Sequence, residues 1–203
     1  MAREYGCRTT GISPAPRQHD FIAGRAAELG VTGLVTTQVG HFELADLPER
    51  DFDAVSMLGS IVHKPDLDAA FGQARRVLRR SGSLCVSESC FRNGVTRDSF
   101  GKRTGTQFVA ESIFGWGDMG PLAALIAGAE NAGFSIVAVD DLTAHYHRTI
   151  EDWRAGVRAA RPQMEELAPG YAAELERYLE IANAGWGYTT KHYALTCRNA
   201  RWE

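Results

Sequence analysis

Strand-like and helix-like patterns alternate from one end of this chain to the other, and that rhythm constrains the fold more than any other feature. Arg8–Ser13 reads as a short strand. His19–Leu29 places Phe21, Ile22, Ala26 and Leu29 on one helical face, and Gly30 stands where a helix-terminating glycine is expected. Gly33–Val39 is a β-branched run and Phe52–Leu58 a third strand. Asp66–Arg80 is an amphipathic helix turning Leu67, Ala70, Phe71, Ala74, Val77 and Leu78 inward, with Ser81-Gly82 ending it. Ser83–Ser89 is a fourth strand, Pro121–Ala132 a helix with proline in its first turn, Phe134–Val139 a fifth strand and Thr189–Cys197 a last one. Strands separated by helices of this length predict an α/β fold: a mostly parallel sheet with helices on both faces and ligands at the carboxyl ends of the strands.

Two stretches break the rhythm. Phe91–Thr106 is polar, sets Arg92, Arg97, Lys102 and Arg103 against Asp98, and reads as a mobile loop beside a strand end. It is either an attractor for an anionic substrate or a solvated surface. Residues 149–185 carry helical spacing around Trp153, Val157, Met164, Leu167, Tyr171, Leu175 and Leu179, interrupted at Pro162 and Pro169-Gly170. These predict two helices forming a lid before the last strand. The expected organisation is one domain, with a core over 1–148, the lid over 149–185 and the closing strand over 186–203.

Composition removes several classes. A chain of 203 residues that is 44% hydrophobic and 23% charged can bury one full core, which argues against disorder. A net charge of -3 without a lysine or arginine run lacks the footprint of a nucleic-acid binder. No stretch approaches the roughly 18 apolar residues of a membrane span, and residues 1–12 lack a signal-peptide centre, so a cytoplasmic location is expected. Cys7, Cys85, Cys90 and Cys197 form no CxxC pair and no zinc-finger spacing, so reduced thiols and no metal are expected.

Gly115-Trp-Gly-Asp-Met-Gly120 spells G-x-G-x-x-G, with Asp140-Asp141 further on where a ribose-binding acid would stand. An NAD(P)-type oxidoreductase is therefore one reading. Glu111 and Ser112 sit inside what would have to be a buried strand, however, and Pro121 delays the helix past the third glycine. The segment reads better as a loop and helix start near a substrate.

Four ordered motifs carry a resemblance. Tyr5-Gly-Cys-Arg-Thr-Thr-Gly-Ile-Ser-Pro-Ala-Pro-Arg-Gln18, Leu47-Pro-Glu-Arg-Asp-Phe-Asp-Ala-Val55, Gly59-Ser-Ile-Val-His-Lys-Pro-Asp66 and Arg76-Val-Leu-Arg-Arg-Ser-Gly-Ser-Leu84 are closed by Trp186-Gly-Tyr-Thr-Thr-Lys-His-Tyr-Ala-Leu-Thr-Cys-Arg198. Together they resemble class I S-adenosylmethionine-dependent methyltransferases, in the branch of cyclopropane-fatty-acid and mycolic-acid synthases. The resemblance implies a Rossmann-like fold, S-adenosyl-L-methionine as cofactor and methyl transfer to a small or lipid-like acceptor. It places Ser13 and Gln18 at the ribose hydroxyls, although Ser13 as a simple helix cap is equally compatible. It places His41 or Phe42 against the adenine, and the Gly59-Ser60 backbone toward the methionine part.

His63, just past a strand end, is a candidate general base, or a histidine merely hydrogen-bonded at a loop start. Glu88 is a candidate for orienting a cationic acceptor, or a solvated strand-end acid. Tyr188, His192 and Tyr193 read as packing. Where the lipid-modifying branch carries the Glu, His and Cys that hold a bicarbonate base, this sequence has Val62, Ser87 and Ala182. Cyclopropanation is accordingly disfavoured, and transfer to oxygen, nitrogen or activated carbon remains. The family's central first strand and its glycine-rich cofactor loop have no counterpart before Gly11. That predicts a gap in the sheet, filled by closure, by a segment from another subunit in a homo-oligomer, or left open because the sequence is truncated, as a catalytically impaired remnant.

Overall fold

The computed structural model describes residues 1–113 and 116–200. The chain divides into two compact units, Met1–Glu49 and the remainder from Arg50. In the first, α1 (Ala2–Tyr5), β1 (Thr9–Ser13), α2 (Pro16–Glu28) and β2 (Val35–Val39) follow in order, with 3-10 turns at Thr32–Leu34 and Phe42–Leu44. Pro16 opens α2 where its missing N–H is no loss. β1 and β2 pair in parallel from Thr9 opposite Val35 to Ser13 opposite Val39, with α2 as their crossover. Only Ala26 of α2 is fully buried, and Phe21, expected on the inward face, is 74% exposed. The inward stripe is Ile22, Ala26 and Leu29, an i, i+4, i+7 series to which Phe21 is lateral.

The second unit is built on a four-stranded sheet in the order β3-β4-β6-β5. Its strands are β3 (Phe52–Leu58), β4 (Leu78–Phe91), β5 (Ser135–Asp141) and β6 (Thr190–Arg198). β3 and β4 are parallel, and β6 runs antiparallel to both β4 and β5, so the other three strands share one direction. Among the described residues, β1 pairs with β2 alone and β3 with β4 alone.

α3 (Leu67–Val77) starts at Asp66, whose side chain accepts a hydrogen bond from Ala69 N at 2.9 Å. It stops at Val77, earlier than its apolar spacing predicts, because Leu78 already pairs with Phe52. Asn199 enforces the change by donating from Nδ2 to Leu78 O at 2.8 Å, while its carbonyl accepts from Ser81 N. The Ser81-Gly82 signal thus marks an irregularity inside a strand. A Cβ on Gly82 would lie 2.9 Å from Arg79 O.

The polar stretch after β4 is helical, contrary to the loop expected there: α4 (Gly94–Phe100) and α5 (Thr104–Glu111) occupy it. Asn93 Oδ1 accepts from Thr96 N and Thr96 Oγ1 at 2.8 and 2.9 Å, which starts α4. α6 (Leu122–Asn131) follows Pro121. α7 (Thr143–Leu167) begins directly after β5 and runs unbroken through Pro162. Gly170, at φ 85°, separates it from α8 (Tyr171–Gly185), and the two pack through Ile150, Val157, Ala172 and Leu179. Phe71, Val77, Leu84, Val86, Leu125, Ala129, Leu195 and Cys197 form the buried centre of the sheet unit.

Candidate active site

β3 ends at Leu58, and Gly59 turns the chain away at φ 62°, its N–H donating to Ser87 O at 2.8 Å. No atom lies within 4 Å of where a Cβ on Gly59 would stand, so the backbone is open to close approach by a ligand. Ser60 leads into a 3-10 turn, Ile61–His63. The turn is held from below by Glu88, which is 4% exposed rather than solvated. Its Oε2 accepts from Ile61 N at 3.1 Å and from Val62 N at 3.4 Å, and its Oε1 accepts from Ser89 N at 2.9 Å. Burial raises the Glu88 carboxyl above its ordinary range, against the pull of these three N–H groups and of the nearby His63. Glu88 is therefore a backbone clamp, and not the solvated strand-end acid of the alternative reading.

His63 Nδ1 lies 2.5 Å from Trp116 O. A carbonyl only accepts, so in this bond Nδ1 is the donor. Asp118 N donates to Val62 O at 2.9 Å, and Arg97 Nη2 bonds both Asp118 carboxylate oxygens at 2.7 and 2.8 Å. These contacts tie α4 to the segment that orients His63. A cavity of about 200 Å³ lies here, lined by Ile61, Lys64, Glu88, Arg97, Asp118 and Leu125 among others.

Alternation along β4 turns Ser87 and Ser89 to the opposite side of the sheet from Glu88. There His192 of β6, 2% exposed, bonds Ser87 Oγ through Nε2 at 2.9 Å and Ser89 Oγ through Nδ1 at 3.2 Å. Tyr146 stacks on the imidazole with ring centroids 3.8 Å apart, and Trp186 stacks on Tyr146. Trp186 Nε1 donates to Thr143 O, and Thr143 Oγ1 accepts from His192 N. The Tyr178 hydroxyl is pushed above its usual range by burial, and further by the charge on Glu88.

Burial lowers the His192 pKa to about 4. The folded protein thus resists a proton that the unfolded chain accepts near the ordinary histidine value of about 6.5. His192 adds stability as pH rises from about 4 to about 6.5 and removes it on acidification. The melting-temperature gap between wild type and H192Q should shift in favour of wild type across that window. A gap independent of pH would contradict the assignment.

The remaining sequence candidates lie in the first unit. Ser13 Oγ donates to Gln18 Oε1 at 2.6 Å and accepts from Ala15 N at 3.2 Å, so this predicted pair does meet at the end of β1. Ala15, not Ser13, occupies the N-cap position of α2. His41 is exposed after β2, with Nδ1 3.9 Å from Glu43 Oε1, and Phe42 is half-buried in the following turn. The dinucleotide reading loses its supporting strand, because α5 fills the segment before the glycines. Gly115 itself lies outside the described residues. Ser87, Ser89, Tyr146 and Tyr178 were not legible as a group, since they come from β4, α7 and α8 and share no sequence spacing.

The mixed α/β fold, with β6 inserted between β4 and β5, matches the Rossmann-like fold of methyltransferases of known structure, among them the cyclopropane synthase MmaA2 from Mycobacterium tuberculosis, at a TM-score of 0.85 and 16% identity over 97% of this chain and 72% of that one. The chain belongs to the mycolic acid cyclopropane synthetase family, whose sequence profile matches residues 1–194. It is 28% identical over 142 residues to a sterol 24-C-methyltransferase of Neurospora crassa, covering 70% of this chain and 37% of that protein. It is 26% identical over 189 residues to a "Probable fatty acid methyltransferase" of Pseudomonas putida, covering 92% of this chain and 47% of that protein. The chain thus spans less than half the length of these two relatives. A crystal structure of a mycolic acid cyclopropane synthase complexed with SAH and CTAB superposes with a TM-score of 0.85 at 20% identity, over 97% of this chain and 72% of that one. Among the described residues no helix is long and apolar enough to cross a membrane.

Proposed function

We propose that this protein binds S-adenosylmethionine and transfers its methyl group to oxygen, nitrogen or activated carbon of a small or amphipathic, lipid-like acceptor. The observation that carries this reading is the strand-end turn: an open, left-handed Gly59 leading into a 3-10 turn that Glu88 holds at Ile61 N and in which Trp116 O meets His63 Nδ1. Open glycine backbone and an oriented imidazole are what a close-lying cofactor and an acceptor proton call for. The cofactor, when bound, supplies a methyl group activated by positive sulfur. Gly59 and Ser60 are proposed for its methionine part, Ser13 and Gln18 for the ribose hydroxyls, and His41 or Phe42 for the adenine. His63 is proposed as a proton acceptor at Nε2, with Glu88 holding the turn that presents it.

Cyclopropanation remains disfavoured in this proposal, since Val62 and Ala182 offer no polar side chain and the Ser87 hydroxyl is engaged by His192. The cytoplasm is the proposed compartment, in keeping with cysteine spacing that favours reduced thiols. Isothermal titration with S-adenosylmethionine and with S-adenosylhomocysteine tests the reading: saturable heat is expected from both. No heat from either ligand would overturn it.

A further inference from the structure

We propose that Arg97 is a positioning residue for His63, acting through Asp118 and the glycine-rich segment at residues 116–120 without touching a reacting atom. The inference rests on the role proposed for His63 above. It also gives the described part of the G-x-G-x-x-G stretch a task other than dinucleotide binding.

Residues 116–120 belong to no helix or strand, yet they meet His63 and its turn at three points. Trp116 O lies 2.5 Å from His63 Nδ1. Gly117 passes so close to the ring that a Cβ on it would stand 3.5 Å from both Nδ1 and Cε1. Asp118 N donates to Val62 O at 2.9 Å. Where this segment lies therefore decides whether the ring finds its carbonyl. Gly117, at the middle of these contacts, leaves the backbone there freer than any other residue would.

Two ties fix the segment from outside. At its far end Gly120 O accepts from Phe91 N at 3.0 Å, where β4 finishes. Nearer to His63, Arg97 Nη2 bonds both carboxylate oxygens of Asp118. Arg97 is carried by α4, which the Asn93 cap starts. Residues 91–97 thus form one side of a closed frame and residues 118–120 the other. The backbone tie at Gly120 lies beyond Asp118, so the ion pair is what holds the residue whose N–H reaches Val62.

The Arg97 and Asp118 side chains are 44% and 58% exposed. An ion pair this open to water adds little to folding stability. Its effect falls instead on the placement of the segment it grips. Both residues also line the cavity beside the Ile61–His63 turn, where an acceptor would meet the ring. Since one guanidinium nitrogen makes both contacts, a lysine ammonium can take its place.

Nitrogen-15 spectra of the histidine rings in the whole protein at pH 8 read the tautomer of each neutral ring. In the wild type His63 should carry its proton on Nδ1. In R97A and in D118A this signature should give way to exchange between the two tautomers. The double variant should go no further than either single one, and R97K should restore the signature. Exchange of the Asp118 amide should quicken about tenfold in R97A. The His192 ring, on the other side of the sheet, is the control, and its resonances should not move. An Nδ1–H signature that survives in R97A, or is absent from the wild type, overturns the proposal. So does a change that reaches His192 as well, because Arg97 would then serve the fold as a whole. No heat from S-adenosylmethionine in the wild type removes the methyl-transfer reading and the purpose of Arg97 with it. Intact heat with an unchanged His63 ring in R97A removes the role of Arg97 alone.

Discussion

Replacing Glu88 with alanine should cost about 3 kcal/mol or more of folding stability and release the Ile61–His63 turn. Two of the N–H groups the carboxylate accepts, from Ile61 and Ser89, are at good hydrogen-bond distance, and Ile61 is fully buried. Each buried donor left without a partner costs about 1–3 kcal/mol. Relief from burying a charge offsets part of this, which the raised Glu88 pKa already signals. E88Q keeps one accepting oxygen but sets an amide NH2 against a backbone donor, so it should fall between wild type and E88A. Urea unfolding gives the stabilities, and amide exchange at Ile61 and Ser89 reports the turn directly. An E88A protein within 1 kcal/mol of wild type, with both amides still protected, would show that the carboxylate does not hold this turn.

Phe71→Ala should be the most damaging change to the sheet unit's core, at about 3–5 kcal/mol for a fully buried aromatic ring. Its ring lies against α6 where Gly128 leaves the space: a Cβ there would come within 2.8 Å of Cδ2 and Cε2. Gly128→Ala alone should therefore destabilise by about 1–3 kcal/mol through overpacking. In the Phe71→Ala background the same methyl enters vacated space, so the two changes should be strongly non-additive. Thermal unfolding of both single variants and the double variant checks this. Simple additivity would mean that the α3 and α6 surfaces are not in contact through this ring.

The regular elements were legible because their signals are local. β3 follows its predicted span, β5 and β6 shift by a residue or two, and α3 begins directly after Asp66, the first residue of its predicted span, which caps it. What failed was decided by partners far along the chain. Leu78 reads as the last apolar residue of a helix, yet it starts β4 because Phe52 and Asn199 claim its backbone. The polar stretch at Arg92–Thr106 reads as a loop because its helices are short and their supports are a cap at Asn93 and an ion pair to Asp118. In the site, the positions of His63 and Glu88 could be predicted from the strand end, but the burial of Glu88 could not. A lone acid at the end of a strand gives no hint of the turn that folds back over it. His192 passed for packing for the same reason: its serine partners lie more than a hundred residues earlier.

The insertion of β6 between β4 and β5 also sets an order of assembly. Among the described residues β4 and β5 are not paired with each other; β5 joins the sheet only through β6, the strand that leaves the ribosome last, while β4 already pairs with β3. Until Thr190–Arg198 is available, β5 has no ladder to join, and the β4 edge bearing Ser87 and Ser89 is unpaired. Closing that ladder requires bringing together segments far apart in the chain, a slow and entropically costly event. During synthesis the nascent chain therefore passes through a stage in which its helices can form while half its sheet is still open. A chaperone, or simply a rapid finish to translation, has its greatest effect at that stage.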